Sequence, residues 1–397
     1  MPNGSRQCAM TRVGFVFAFQ DRGWLGGISY FRNLLWALHT LPGRTIDPVI
    51  LTGERTPADL LEGMPPLPVH RTALLDRRRP WWYVRKACQA ASGTDLLLAR
   101  YLARNGIAVL SHHNPLGPRA GVPTLGWIPD FQHLHLPQMF SAEEIAMRDR
   151  LFASLCQGSA RVLVSSHAAC RDLQRCFPAQ AHRARVLQFV ANMNPLAPAP
   201  PVSELERRYG FRGPYFHLPN QLWQHKNHGI VVEALRLLKQ RGIEALVLST
   251  GQTADHRQPG YGQRLLGSVA EAGLQRNFRF LGVVPHGDLA GLMRGAAALI
   301  NPSRFEGWST TVEEARSLNK PILLSDIEVH REQAPPRGVF FAPDDAPALA
   351  DAMAQALACP ASSERDAEQA RLARDDLARR RRRFAETYQQ IVMELSA

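Results

Sequence analysis

Two carboxylates, Glu306 and Glu314, stand eight positions apart in the stretch SRFEGWSTTVEEARSLNKP (Ser303–Pro321). Between them runs Gly307-Trp308-Ser309-Thr310-Thr311. The preceding apolar run AAALINP (Ala296–Pro302) reads as a buried strand. Val312–Leu318 has helical character, and Lys320-Pro321 stops it. Strand, glycine-containing loop and helix start together make an anion site, because free N–H groups and the helix dipole attract phosphate. Acid on both sides of such a site then needs a reason. Thr310-x-x-Glu313 and Thr311-x-x-Glu314 both fit a capping box, and we give that structural role to Glu313. Glu306 and Glu314 remain. An ionised carboxylate only accepts hydrogen bonds, so each wants a donor such as a sugar hydroxyl.

A second loop adds a cation. LPNQLWQHKNH (Leu218–His228) follows another strand, and Lys226 falls where a helix should begin. A lysine there opposes the dipole unless it faces a bound anion; otherwise it is an exposed lysine near a helix end. Near the amino end, FQDRGWLGGISYFRNLLWAL sets Gly26-Gly27 between the first strand and an amphipathic helix. Glycines there either let backbone approach a ligand or simply make a turn, and the pattern is not the GxGxxG of dinucleotide sites. A diphosphate flanked by two polyol rings meets all these demands: backbone N–H for the phosphates and one carboxylate for each ring. That ligand is a nucleotide sugar.

The elements that must hold these loops alternate along the chain. Strands are expected at Val13–Phe19, Pro48–Leu51, Ala108–Ser111, Thr124–Ile128, Arg161–Ser165 and Arg185–Phe189. A second set falls at Tyr215–Leu218, Ala245–Thr250, Phe278–Leu281, Ala298–Asn301, Ile322–Ser325 and Gly338–Phe341. Helices are expected between them, among them Ser29–Thr40, Trp82–Arg104, Ala142–Gln157, Ala168–Cys176, His228–Gln240 and Thr311–Leu318. The strands are apolar on both faces, as buried parallel strands are. Repeated βα units predict an α/β protein with two Rossmann-like, doubly wound parallel-sheet domains facing each other across a cleft. We divide the chain into an N-terminal domain (1–195), a Pro-rich linker (196–213), a C-terminal domain (214–375) and a C-terminal helix (376–397) that packs back across the junction.

At 397 residues the chain has room for two to three cores, and its 45% hydrophobic and 21% charged composition is that of a globular protein. No apolar stretch reaches the roughly 18 residues of a membrane span. The six cysteines show no CxxC pair and no metal spacing, so reduced thiols, a cytoplasmic setting and no metal site are expected. The formal charge is +12, with basic clusters at Arg77–Lys86 (RRRPWWYVRK) and Arg379–Arg383. Such clusters meet nucleic acid, an anionic membrane surface, or only water. Trp81, Trp82 and Tyr83 among the cations suit a bilayer interface, and a surface helix burying a Trp pair is the plain alternative. A basic nucleic-acid-binding protein would leave Glu306 and Glu314 without a role, so no nucleic acid is expected.

The stretch EGWSTTVEEA resembles the signature of retaining family-4 glycosyltransferases (glycosyltransferase group 1) of the GT-B fold. The likeness extends through PSRFEG, KPILLSDIEVHRE, LGVVPHGDLAGLMRGAAALINPS, NQLWQHKN, VLVSSHAACRDL and the Gly26-Gly27 loop. It implies a transferase moving sugar from a nucleotide-diphosphate donor to an acceptor hydroxyl, with retention, no metal and no cofactor. Glu314 would hold the donor ribose, Glu306 a hydroxyl of the transferred sugar, and backbone at Gly307–Thr311 the sugar and phosphates. Lys226 would neutralise the diphosphate, and Gly27 would approach it. The family's phosphate arginine is replaced by Gln221, beside Asn220. A family histidine before Asp130 is replaced by Pro129, with His133 following. Acceptor deprotonation then falls to the leaving phosphate or to Asp130, and His112, Asp130 and His133 are the acceptor-side candidates. The expected acceptor is a glycan or lipid-linked sugar of bacterial cell-surface polysaccharide or lipopolysaccharide assembly, with Arg77–Lys86 touching the inner membrane face. A nucleotide-sugar 2-epimerase on the same fold is the enzymatic rival, separable because it needs no acceptor.

Overall fold

The computed structural model describes residues 10–17, 25–193, 199–255, 257–358 and 363–395. The chain divides into two compact units. The first comprises Met1–Phe131, Ala142–Val190 and Arg380–Ala397, the second Gln132–Ser141 and Ala191–Arg379. Two short segments thus join the unit that their sequence neighbours do not.

The first unit is built on a seven-stranded sheet of β1 (Thr11–Val16), β2 (Ile46–Thr52), β3 (Val69–Arg71), β4 (Val109–Ser111), β5 (Thr124–Ile128), β6 (Arg161–Val164) and β7 (Ala184–Val186). The order is β3-β2-β1-β4-β5-β6-β7, with every pairing parallel. The second unit carries β8 (Phe216–Leu218), β9 (Val247–Ser249), β10 (Phe278–Phe280), β11 (Ala298–Asn301), β12 (Ile322–Ser325) and β13 (Gly338–Phe341). They run β10-β9-β8-β11-β12-β13, again all parallel. Both orders reverse direction at one point, between β1 and β4 and between β8 and β11. Ligands of open α/β sheets bind outside the strand ends at such a point.

Alternate strand residues face opposite layers of helices. In the second unit Phe216, Val247, Ile300 and Leu323 pack with helices His228–Gln240, Tyr261–Glu271 and Ala346–Ala358. Leu248, Leu299, Ile322 and Leu324 pack on the other face with helices His286–Gly295 and Thr310–Ser317.

Three expectations need correction. The segment read as a linker, 196–213, contains helix Val202–Tyr209, whose Leu205 is fully buried in the second unit's core. Its Arg208 donates twice to Asp288, at 2.6 Å each. Gly291 makes room for it, since a Cβ there would lie 2.8 Å from Leu205 Cδ1. The prolines drew attention to Pro195–Pro201 and away from a two-turn helix; residues 194–198 lie outside the described ones. The expected helix Trp82–Arg104 is two helices, Pro80–Ser92 and Leu96–Arg104. Gly93 ends the first with φ +68°, and the Asp95 side chain caps the second through Leu98 N–H. The last helix, Ser363–Met393, groups with the second unit up to Arg379 and with the first thereafter.

Candidate active site

In the second unit the strand-order reversal brings together the loops after β8 and β11. The β8 loop runs through Asn220 and Gln221 into a 3₁₀ turn, Gln224–Lys226. Asn227 follows with φ +57° and donates from Nδ2 to Pro343 O (2.8 Å), which fixes the turn before helix His228–Gln240. The β11 loop runs from Pro302 to Ser309, and Arg304 N–H donates to His225 O at 2.8 Å, tying the two loops together.

Lys226 and Glu306 meet at their centre. Lys226 Nζ lies 2.7 Å from Glu306 Oε1, with the two side chains only 16% and 9% exposed. Ser303 Oγ lies 2.7 Å from the same carboxylate oxygen and 2.7 Å from Asn301 Oδ1, so its one proton serves one of them at a time. The cation and the acid are therefore one nearly neutral unit, not the two separate charges that the sequence suggests.

Behind them lies a buried polar web. Asn301 donates to Ser309 Oγ (2.6 Å), and Thr311 Oγ1 donates to Asn220 Oδ1 (3.2 Å). Gln333 accepts from Ser309 N–H (3.1 Å) and donates to Ser309 O (2.9 Å). His330 sits within this web, 2.8 Å from Ser325 O, and burial holds it below the usual histidine range. Asn220, Ser309 and Thr311, expected to touch the donor, thus commit their side chains to shaping the loop. Gly307, Trp308 and Thr310 stay partly exposed and leave the loop backbone accessible. Asn301, Ser303, His330 and Gln333 escaped the sequence reading. The INPS and VHREQ stretches contain them, but nothing local marks a core-facing polar residue as part of a web.

The helix Thr310–Ser317 begins one residue earlier than expected. Its cap is Ser309, whose Oγ accepts from Val312 N–H, so neither threonine forms a capping box. The two adjacent glutamates differ sharply. Glu313 is buried and held by Gln333 Nε2 (3.1 Å), with Arg316 at 3.7 Å. The Glu314 carboxyl has no donor or cation among the described residues, and burial pushes its pKa up to about 8. Part of its surface still reaches solvent. A neighbouring glycine closes the site from the side: Gly251 has φ +143°, and a Cβ on it would meet Asn220 O and Gln221 N at 2.9 Å.

In the first unit, Gly26 and Gly27 lie inside the first turn of helix Leu25–His39 rather than in the loop before it. Gln20, Asp21 and Arg22 of that loop lie outside the described residues. His112 follows β4 at the other reversal point, with φ +56°. Its Nδ1 lies 2.7 Å from Ser111 Oγ and its Nε2 2.8 Å from Tyr30 Oη, and burial lowers its pKa to about 3, so the ring is neutral. Tyr30 stacks on Trp127 at 4.5 Å, and Tyr388 donates to Ser111 Oγ at 2.6 Å. Asp130, at the end of β5, is ion-paired with Arg148 at 2.5 Å. His133, expected on the acceptor side, is buried and belongs to the second unit, where its ring stands edge-on to Phe140. Among the described residues no His/Cys/Asp/Glu cluster could hold a metal. Cys88, Cys156, Cys170 and Cys176 form no disulfide among the described residues; Cys8 and Cys359 lie outside them. No described helix is long and apolar enough to cross a membrane.

Comparisons with known proteins agree with this architecture. No curated sequence matches the chain. Solved structures do match over almost their whole length. The Anabaena protein HepE in complex with UDP and glucose aligns with TM-score 0.69 at 16% identity, covering 98% of this chain and 100% of that one. A sucrose-phosphate synthase from Thermosynechococcus elongatus aligns with TM-score 0.66 at 17% identity, covering 97% and 99%. The lipopolysaccharide outer core galactosyltransferase WaaB, in its apo form, aligns with TM-score 0.60 at 12% identity, covering 96% and 99%. At these identities the likeness is one of fold, two parallel-sheet α/β units of the GT-B kind. The model of the family "Glycosyl transferases group 1" matches residues 212–373, which hold Lys226, Glu306 and Glu314. Residues 212–373, within the second unit, thus form a glycosyl transferases group 1 domain.

Proposed function

We propose that this protein transfers a sugar from a nucleotide-diphosphate donor to an acceptor hydroxyl with retention at the anomeric carbon and without a metal. The observation that carries the reading is the pairing of contrasts at one strand-order reversal. Lys226 and Glu306 form a closed ion pair there, while Glu314 stands deep and unpartnered beside a helix start. A buried carboxyl without a donor is costly, and the vicinal hydroxyls of a ribose supply the missing donors. The diphosphate then lies against the amides of Gly307–Thr310 and Lys226, whose positive ends stabilise the charge that grows as the glycosidic bond breaks. Glu306, held by Lys226 and Ser303, faces the transferred sugar. That one neighbour of the same fold was solved with UDP and glucose supports a nucleotide-sugar donor, and a lipopolysaccharide galactosyltransferase among the neighbours supports a cell-surface glycan acceptor. The Asp130 carboxylate is already engaged by Arg148 at 2.5 Å. We therefore assign acceptor deprotonation to the leaving phosphate.

The test is a panel of UDP-, GDP- and dTDP-linked sugars incubated with the wild type and with Glu314→Ala. Thermal stabilisation or slow donor hydrolysis by one nucleotide class, lost in the variant, supports the reading. Interconversion of the sugar with donor alone would replace it with an epimerase.

A further inference from the structure

Helix Pro80–Ser92 is amphipathic in the reverse sense. Its inward side carries a charge: Arg85 is 3% exposed, donates to Asp95 at 2.6 Å and to Leu74 O at 3.0 Å, and so pins the helix to the first unit. Its outward side carries the apolar groups. Trp81 is 59% exposed and Val84 44%, and Cys88 continues their face one turn on; Tyr83, 56% exposed, stands at the opposite edge of the solvent side, about 160° round the helix from Trp81. Trp82, by contrast, is only partly exposed, so the two tryptophans do not form a buried pair. A solvated helix ordinarily turns these faces the other way, and a contiguous exposed patch of large apolar groups marks an interaction surface.

The charge at the edge of this patch says what covers it. Arg77, Arg78 and Arg79 lead directly into the helix, are all exposed, and form no ion pair among the described residues. Three unneutralised guanidinium groups beside an exposed Trp81–Val84 face fit an anionic, apolar-beneath surface. An acidic protein would satisfy the arginines but leave Trp81 and Val84 needing a matched hydrophobic pocket. A bilayer interface takes both, because Trp and Tyr rings lie at headgroup depth and arginines meet lipid phosphate. We propose that Arg77–Cys88 is an interfacial docking helix that holds the first unit on an anionic membrane. Arg85 and Lys86, part of the basic cluster read from the sequence, are not lipid contacts. Arg85 is buried, and Lys86 donates to Gln89 at 2.8 Å. The proposal stands on the first unit alone and does not depend on the donor site.

The experiment is co-sedimentation of the full chain with vesicles of phosphatidylcholine alone and of phosphatidylcholine mixed with phosphatidylglycerol. We expect the wild type to pellet with the anionic vesicles and to be released as salt rises. Replacing Arg77, Arg78 and Arg79 together with serine should lower partitioning on the order of a hundred-fold, at about fivefold per arginine. The pair Trp81→Ser and Val84→Ser should weaken it even at low salt. Neither set touches the Arg85–Asp95 anchor, and nucleotide binding measured on the same samples shows that each variant is folded. Equal pelleting with neutral and anionic vesicles, unchanged binding in both variants, or wild type left in the supernatant would each overturn the proposal. The last result would assign the patch to a protein partner. Loss of nucleotide binding with vesicle binding intact would count against the donor site and leave the docking helix standing.

Discussion

The two sheets share the order 3-2-1-4-5-6 from their first strand, and their reversal points are built from opposite materials. In the second unit the crevice holds an ion pair, an unpartnered carboxyl and a polar web. In the first it holds aromatic rings, Tyr30, Phe31 and Trp127, packed around the neutral His112. The same topology thus supplies the same place twice, and side chains decide its use. The charged crevice is suited to phosphates and hydroxyls. The aromatic one is closed on itself: Tyr30 and Phe31 are buried, and both ring nitrogens of His112 are taken by Tyr30 and Ser111.

Breaking the ion pair should separate the crevices most strongly. Lys226→Ala leaves Glu306 buried without its cation, and we expect turnover to fall on the order of a thousand-fold, with about 3 kcal/mol of stability lost. Assays with donor alone and denaturant unfolding measure the two effects. A loss below tenfold would mean that Lys226 does not meet the leaving group.

Glu314→Ala should weaken nucleotide binding by ten- to a hundred-fold, read by calorimetry. The ligand-free protein should respond in the other direction. Because the folded pKa is raised to about 8 from an ordinary 4.5, the folded state holds a proton that the unfolded chain has released between those values. The Glu314 contribution is therefore harmless below about pH 4.5 and costs stability as pH rises to about 8, where it levels off. Glu314→Gln should remove that decline, and parallel pH profiles for the two proteins would sink the assignment.

Gly251→Ala tests the wall of the charged crevice. With φ +143° and a Cβ driven onto Asn220 O, it should cost about 1–3 kcal/mol and loosen nucleotide binding with it. Tyr30→Phe tests the other crevice. It removes the partner of His112 Nε2 and should cost about 1 kcal/mol while leaving nucleotide affinity unchanged. A change in that affinity would show that the two crevices are not independent.

Much of this was legible because buried parallel strands are continuous apolar runs. β5, β11, β12 and β13 fall where the sequence places them, to the residue. The strand it hid is β3, three residues reading Val-His-Arg at the sheet edge, where half the surface is wet and the pattern dissolves. Helix Glu328–Gln333 was missed because six mostly polar residues show no period. Lys226, Glu306 and Glu314 stood out through spacing and a charge misplaced against a helix dipole. Their pairing did not, since Lys226 and Glu306 lie 80 positions apart and only the strand order brings them to 2.7 Å. For the same reason the exposure of Trp81 could not be told from that of Trp82: it depends on where Arg85 finds Asp95.

The first unit's membership also bears on how the chain is made. Tyr388 reaches Ser111 across 277 positions, and Glu394 pairs with Arg161 and Arg185. A ribosome delivers these partners after every strand of both sheets, so the first unit's sheet is begun before the second unit's and completed after it. Until residues 380–395 emerge, the seven-stranded sheet must wait with its Ser111 and arginine partners unmet, while the second unit already has all its strands. The order of completion runs opposite to the order of synthesis.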